Sequence, residues 1–387
     1  MLGAGIEYYD IALYGYLAPI LVQVFLPHLE KTTAYFFYFL FEFFASLGQI
    51  AGARYYGKIG DLHGRKKAMY VAMLGTSCVT FIISLLPTYA DCGLIATALF
   101  CFARVMQSFF LGGEYNGSAI YCLEHETDHK KYGLVSGLYC AFTVTGIILA
   151  SLVAMMVNIL GPEYFRIAYA VSFIFAVSIY CLRKNIKETL LAAQKRNTMS
   201  TTFPLKTIIL LVVSSLFFGM LYGLPTKIFN AILPIAIGIN TNQLMLINTV
   251  FLVLYMFLLV IFGIISDKYG VKKVMYSSVI LTAIFTYPLF LLIEINALFA
   301  LCFVKTSFVL LTAAFIGPFH AMVQDLFPAQ NRYSNISTYY AIGKCLATIV
   351  LASSFLVFKT YNNLQSIALI LVFISFITIG VFYEKSK

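Results

Sequence analysis

The sequence predicts an all-α polytopic membrane protein, with twelve transmembrane helices arranged as two pseudo-symmetric six-helix bundles. Three observations lead there. The 387 residues are 61% hydrophobic and only 11% charged, whereas soluble chains carry about 25% charged residues. There is too little polar surface to coat a globule. Apolar segments of bilayer-spanning length recur along the whole chain, separated mostly by short linkers. Several local features also recur at one fixed offset, as in a duplicated chain.

A helical span needs roughly 20 apolar residues, because ~30 Å of hydrocarbon is crossed at ~1.5 Å per residue. Segments that meet this run over 4–27, 33–57, 68–88, 93–123, 132–160, 164–183, 204–237, 241–266, 273–293, 297–325, 332–357 and 364–383. The longest linker, RKNIKETLLAAQKRNTMSTTF, divides them six and six. The expected domains are therefore a bundle over 1–183, a cytoplasmic linker over 184–203 and a bundle over 204–387. Within the linker, Ile186, Leu190, Leu191 and Ala193 fall on one face of a short surface helix. Nineteen of the 26 Lys and Arg residues fall on the side of the even-numbered loops and the termini, and Lys31, Arg166 and Lys359 on the other. The positive-inside rule then puts both termini in the cytoplasm. Topology thus explains the net charge of +10, and no nucleic-acid partner is expected. The first residues run straight into an apolar span, so no cleavable signal peptide is expected. None of the eight cysteines forms a C-x-x-C pair. With no metal-ligand spacing of histidines, no metal site is expected.

The repeat is clearest in two loops. GKIGDLHGRKK (57–67) and GIISDKYGVKK (263–273) place Asp61 and Asp267 206 residues apart. Pro19, in the first span, and Pro225, in the seventh, share that offset. Phe110-Leu111-Gly112 matches Phe315-Ile316-Gly317 within one residue of it. Duplicated six-span halves are a transporter signature, and Gly/Pro breaks at matching positions point toward the solute site. In the loop itself, Gly57 is expected to end a helix. Asp61 is placed to meet the unpaired amides of a neighbouring helix start. Gly64 permits a positive φ, and Arg65 offers a fork to a carboxylate. Asp267, Gly270 and Lys272 repeat the pattern, forming with the first set an inner gate. Lys66 and Lys67 read as ordinary basic loop residues.

Ionisable residues inside spans cost about 2.5–3.5 kcal/mol each on insertion scales, so each needs a reason. Glu7 and Asp10 share a helix face at i, i+3. Arg104 lies near the middle of the fourth span, with Glu114 about 15 Å further along. A carboxylate crowded by a second one takes up a proton more readily, as proton coupling requires. Glu42, within FEFF, reads as facing lipid or a helix partner. Of the cations, Arg104 and Lys344 lie near mid-span, while Lys305 and Lys227 lie nearer the outer end, where a lysine also snorkels. One cation from each half, facing one cavity, would hold an organic anion. Tyr14, Tyr16, Tyr115, Tyr222, Tyr339 and Tyr340 are candidate lining residues.

GKIGDLHGRKK resembles the loop 2–3 motif of the major facilitator superfamily, and GIISDKYGVKK resembles its second copy. GIEYYDIALYGYLAPI, RVMQSFFLGGEYNGSAIYCLEHE and QDLFPAQNRYS resemble the span 1, span 4 and pre-span 11 patterns of its metabolite:proton symporter family. That family includes proline/betaine, 2-oxoglutarate, citrate and shikimate permeases. Tyr8 stands where the family pattern has Trp, Ala4 where it has Asn, and Lys344 where it has a small residue. The resemblance implies a monomeric inner-membrane symporter that moves a small organic solute, carboxylate-bearing or zwitterionic, with protons by alternating access. Asp10, Glu7, Arg104, Glu114, Lys344 and Lys305 would form its binding and coupling site. No nucleotide-binding loop or catalytic constellation is present, so the chain is expected to be no enzyme and to need no cofactor beyond a proton gradient. An exchanger or exporter on the same fold, or a transport-inactive sensor, is the alternative.

Overall fold

A computed structural model describes residues 2–183, 188, 203–236, 238–295, 298–361 and 363–384. The expected linker helix at 186–193 therefore lies outside the described residues, apart from Glu188. The helices are α1 (Leu2–Tyr16), α2 (Ala18–Phe25), α3 (Lys31–His63), α4 (Arg65–Leu85), α5 (Leu94–Glu124), α6 (Tyr132–Leu160) and α7 (Phe165–Arg183). They continue as α8 (Leu205–Gly223), α9 (Phe229–Ala236), α10 (Thr241–Tyr269), α11 (Val271–Ile293), α12 (Leu298–Ile316), α13 (Phe319–Gln324), α14 (Arg332–Tyr361) and α15 (Gln365–Glu384). Among the described residues, ten stretches are long and apolar enough to cross a bilayer. The other two expected spans are the first, formed by α1 and α2 in succession, and α7.

Three spans are interrupted. Leu17 separates α1 from α2, with Pro19 in the first turn of α2, where its missing N–H costs nothing. Pro225 lies in a π-helical turn, Leu224–Ile228, between α8 and α9; π-helix is rare and occurs mostly as such single turns inside helices. Gly317 and Pro318 separate α12 from α13. This third break has no partner in the fourth span, where α5 runs unbroken through Gly112.

The chain forms two compact units. One comprises residues 1–125, 142–199 and 327–341, the other 126–141, 200–326 and 342–387. Within the first unit α3 packs on α5, α4 on α5 and α7, and α1 on α7. Within the second α10 packs on α12, α11 on α12 and α15, and α8 on α15. The four pairings correspond one to one at the offset read from the sequence. Small residues allow the close crossings, as in other membrane bundles. A Cβ on Gly48 would lie 2.7 Å from the Val105 carbonyl oxygen, and one on Gly52 would run into the Phe109 backbone.

The repeated loops supply the matching contact at the helix ends. Asp61 accepts hydrogen bonds from the Tyr333 and Ser334 amides, at 3.1 and 2.9 Å. Those are the second and third residues of α14. Asp267 accepts from the Gly133 and Leu134 amides, at 2.6 and 2.8 Å, the second and third residues of α6. First-turn amides have no partner within their own helix, and a carboxylate there also meets the positive end of the dipole. Gly57 differs from expectation. It does not end a helix, since α3 continues to His63. It lies one turn before Asp61 on the same face, where an added Cβ would fall 2.5 Å from the Ser334 Cα. Gly263, its counterpart, is equally pressed against the Gly133 carbonyl, at 2.5 Å from an added Cβ. The first glycine therefore brings the neighbouring helix start close, and the aspartate one turn later caps it. Gly64 and Gly270 then turn the chain at φ 107° and 100°, a region that favours glycine.

Two measurements follow. Gly52→Val should cost about 1–3 kcal/mol through overpacking, read as a lowered thermal midpoint in detergent. A midpoint equal to wild type would mean that α3 and α5 do not cross so closely. Charged hydrogen bonds contribute about 1.5–3 kcal/mol. Asp61→Asn should therefore speed hydrogen exchange at the Tyr333 and Ser334 amides by about 10- to 100-fold, leaving Gly133 and Leu134 unchanged. Asp267→Asn should do the reverse.

Candidate functional site

The polar residues gather in three places. The first surrounds the loop at 57–67. Arg65 is fully buried although charged. Its guanidinium donates to Asp61, to the Gly60 carbonyl at 3.2 Å and to the Ala329 carbonyl at 2.5 Å. It also reaches Glu124, at 3.3 and 3.5 Å. Glu124 in turn accepts from Arg332 at 3.1 Å. The Tyr333 ring lies 5.6 Å from the Arg65 guanidinium, and its hydroxyl donates to the Gly113 carbonyl. Glu188 accepts from the Arg65 and Lys66 amides at 2.9 and 3.1 Å, which closes the start of α4. Sequence reading singled out Arg65 but missed Glu124, Arg332 and Glu188. They are remote from Arg65 in sequence. In the second copy Val271 occupies the position of Arg65, and Lys272 is exposed. The cap by Asp267 therefore stands without a buried arginine behind it.

The second place lies inside the first unit. Asp10 of α1 is 2% exposed. It accepts from Thr80 of α4 at 3.1 Å and from Ser172 of α7. Thr80 accepts from the Gln107 side-chain amide at 2.7 Å, and the Gln107 carbonyl accepts from Arg104. Arg104 pairs with Glu42 of α3 at 3.5 Å and lies 3.8 Å over the ring of Tyr14. Five helices thus contribute to one network, in which the donors from Arg104 through Gln107 and Thr80, and from Ser172, run toward Asp10, while Arg104 also donates to Glu42. Tyr14 and Tyr38 lock its edge. Their rings stack at 4.3 Å, and each hydroxyl donates to the other's carbonyl. Glu42 faces Arg104 rather than only lipid. The aromatic neighbours that obscured this in the sequence occupy the other positions around α3. Thr80, Gln107 and Ser172 were also missed, since single hydroxyls and amides in apolar spans carry no spacing signal.

Glu7 and Glu114 are both buried, at 3% and 2% exposure. Tyr8, Tyr115 and Tyr340 form a run of rings with successive centroids 5.2 Å apart. Tyr16 is buried, whereas Tyr222 and Tyr339 are half-buried.

The third place lies inside the second unit. Lys305 of α12 is 4% exposed and donates to the Asn248 carbonyl oxygen of α10, so it does not snorkel. Lys344 of α14 is half-buried. The Lys227 side chain lies outside the described residues. At the break between α12 and α13, the Gly317 carbonyl accepts from Ser136 at 2.5 Å, and the His320 ring meets Tyr139 edge-on at 5.2 Å.

Comparison with known proteins bears on these groupings. The family model described as "Sugar (and other) transporter" matches residues 1–196, and that described as "Major Facilitator Superfamily" matches residues 215–386. The glycine betaine/proline/ectoine/pipecolic acid transporter OusA of Dickeya dadantii (strain 3937) is 22% identical, over 100% of this chain and 82% of its own length. The alpha-ketoglutarate permease of Escherichia coli (strain K12) is 25% identical, over 88% of this chain and 82% of its own. Among solved structures, the proton:xylose symporter XylE bound to 6-bromo-6-deoxy-D-glucose shares the fold. Its TM-score is 0.81 at 16% identity, covering 99% of this chain and 93% of that one. With the spans, the matched halves and both transporter family models in agreement, the chain is a multi-pass membrane solute transporter, not an enzyme, and belongs to the major facilitator superfamily.

Proposed function

We propose that the chain couples uptake of a small carboxylate-bearing or zwitterionic solute to protons, with Asp10 as the proton acceptor. The observation that carries this is the buried chain from Arg104 through Gln107 and Thr80 to Asp10. Every donor in it serves the ionised carboxylate. Protonation of Asp10 turns one carboxylate oxygen from acceptor to donor, and the hydroxyl that faced it, Thr80 at Oδ2 or Ser172 at Oδ1, must then turn away. Proton binding thus rearranges contacts among α1, α4, α5 and α7, which is what coupling to a conformational change requires. Arg104 is held by Glu42 and positions the chain.

In this reading the chain acts as a monomer in an inner membrane, with both termini cytoplasmic. Bundles over 1–183 and 204–387, joined by the linker at 184–203, alternate in access. The network around Arg65 opens and re-forms in each cycle, and Pro19 and Pro225 mark where spans bend. The names of the relatives, which move betaines, proline and alpha-ketoglutarate, support a carboxylate-bearing solute. No cofactor is needed.

Reconstitution into proteoliposomes tests the reading. With one proton per solute, each pH unit imposed acid-outside drives about tenfold accumulation. Asp10→Asn should abolish gradient-driven accumulation while keeping solute exchange across the membrane. Accumulation by Asp10→Asn at the wild-type level, or wild-type uptake that ignores the pH gradient, would contradict it.

A further inference from the structure

Four cations lie within spans, and the described ones do not have the same need for a counter-charge. Arg104 is already neutralised by Glu42. Lys344 is only half-buried. Lys305 is 4% exposed, and among the described residues it forms no ion pair. Its ammonium has three donors, and Asn248 accepts one. On another side the ring of Phe229 lies 5.7 Å away, giving a cation–π contact. Phe229 is itself packed against Phe290 and Phe308, at 5.6 and 5.8 Å between centroids. The surroundings are thus apolar and aromatic. A buried charge persists at such a place only when something pairs with it.

We infer that Lys305, Asn248 and the face of Phe229 form an anion half-site within the second unit, which takes the carboxylate of the transported solute. This rests on the transport reading and adds the solute's charge to it. One positive charge balances one negative, which suits a single carboxylate better than a doubly charged phosphate. The two carboxylate oxygens match the two remaining N–H donors. The phenylalanine rings suit a small carbon skeleton behind the carboxylate.

The test uses the purified full chain in detergent and follows thermal unfolding by circular dichroism. L-Proline, glycine betaine and 2-oxoglutarate are each compared with their amides. At about a hundredfold excess over half-saturation, at least one acid should raise the midpoint by about 3 °C or more, and its amide should not. Lys305→Met should remove the shift, because the carboxylate then has no ammonium to pair with. Asn248→Asp supplies an internal counter-charge and should also remove it. Equal shifts from acid and amide, a shift that survives Lys305→Met, or no shift with any of the three acids would overturn the inference. The transport reading is judged separately, by gradient-driven uptake in Asp10→Asn, which does not depend on Lys305.

Discussion

The structure depends on a carboxylate placed over the unpaired amides that begin a neighbouring helix. Asp61 does this for α14 and Asp267 for α6, in each case through the second and third residues of the capped helix. A helix start is polar, and in an oily protein it cannot be left unsatisfied at low cost. The glycine one turn before each aspartate is part of the same device. Without it the two backbones could not come close enough for the short side chain to reach. The pattern G-x-x-x-D-x-x-G is therefore a sequence of physical tasks: close approach, cap, turn.

The two copies differ in what backs the cap. Around Asp61, the fully buried Arg65 ties together Asp61, Glu124 and the Ala329 carbonyl, and Arg332 shares Glu124. A valine replaces that arginine at position 271, and Asp267 holds its helix by the cap alone. A contact made of many charge-assisted bonds is stronger than one made of two, but it also has more to lose if one member moves.

Much of this was legible in the sequence. Composition and span length disclosed the membrane fold, and the 206-residue offset disclosed the duplicated packing, because both follow from constraints that act on every residue of a span. Pro19 and Pro225 pointed to interruptions of the first and seventh spans for the simple reason that proline lacks an N–H. The role of Gly57 was not legible. A glycine before a loop reads as a helix end, and only the Ser334 backbone pressed against it reveals a close approach. Glu42 was obscured by its phenylalanine neighbours, and Thr80, Gln107 and Ser172 are too common in spans to signal anything alone. Their significance lies in three-dimensional adjacency to Asp10, which no spacing along one helix encodes. The interior of the second unit follows the same rule. Lys305 could be seen as a buried-span lysine, but Asn248 became its partner only once α10 and α12 were side by side.

If the chain works by alternating access, the start of α14 should leave the loop at 57–67 in every transport cycle. A cross-link tests it most directly. In a background with the eight native cysteines replaced, Glu124→Cys and Arg332→Cys are bridged by a short, reducible bifunctional thiosulfonate. These positions flank the cap without removing Asp61. Uptake should fall to background on cross-linking and return on reduction, with each single-cysteine variant unaffected by the reagent. Cross-linked protein that transports as fast as the same protein after reduction would show that the cap need not open.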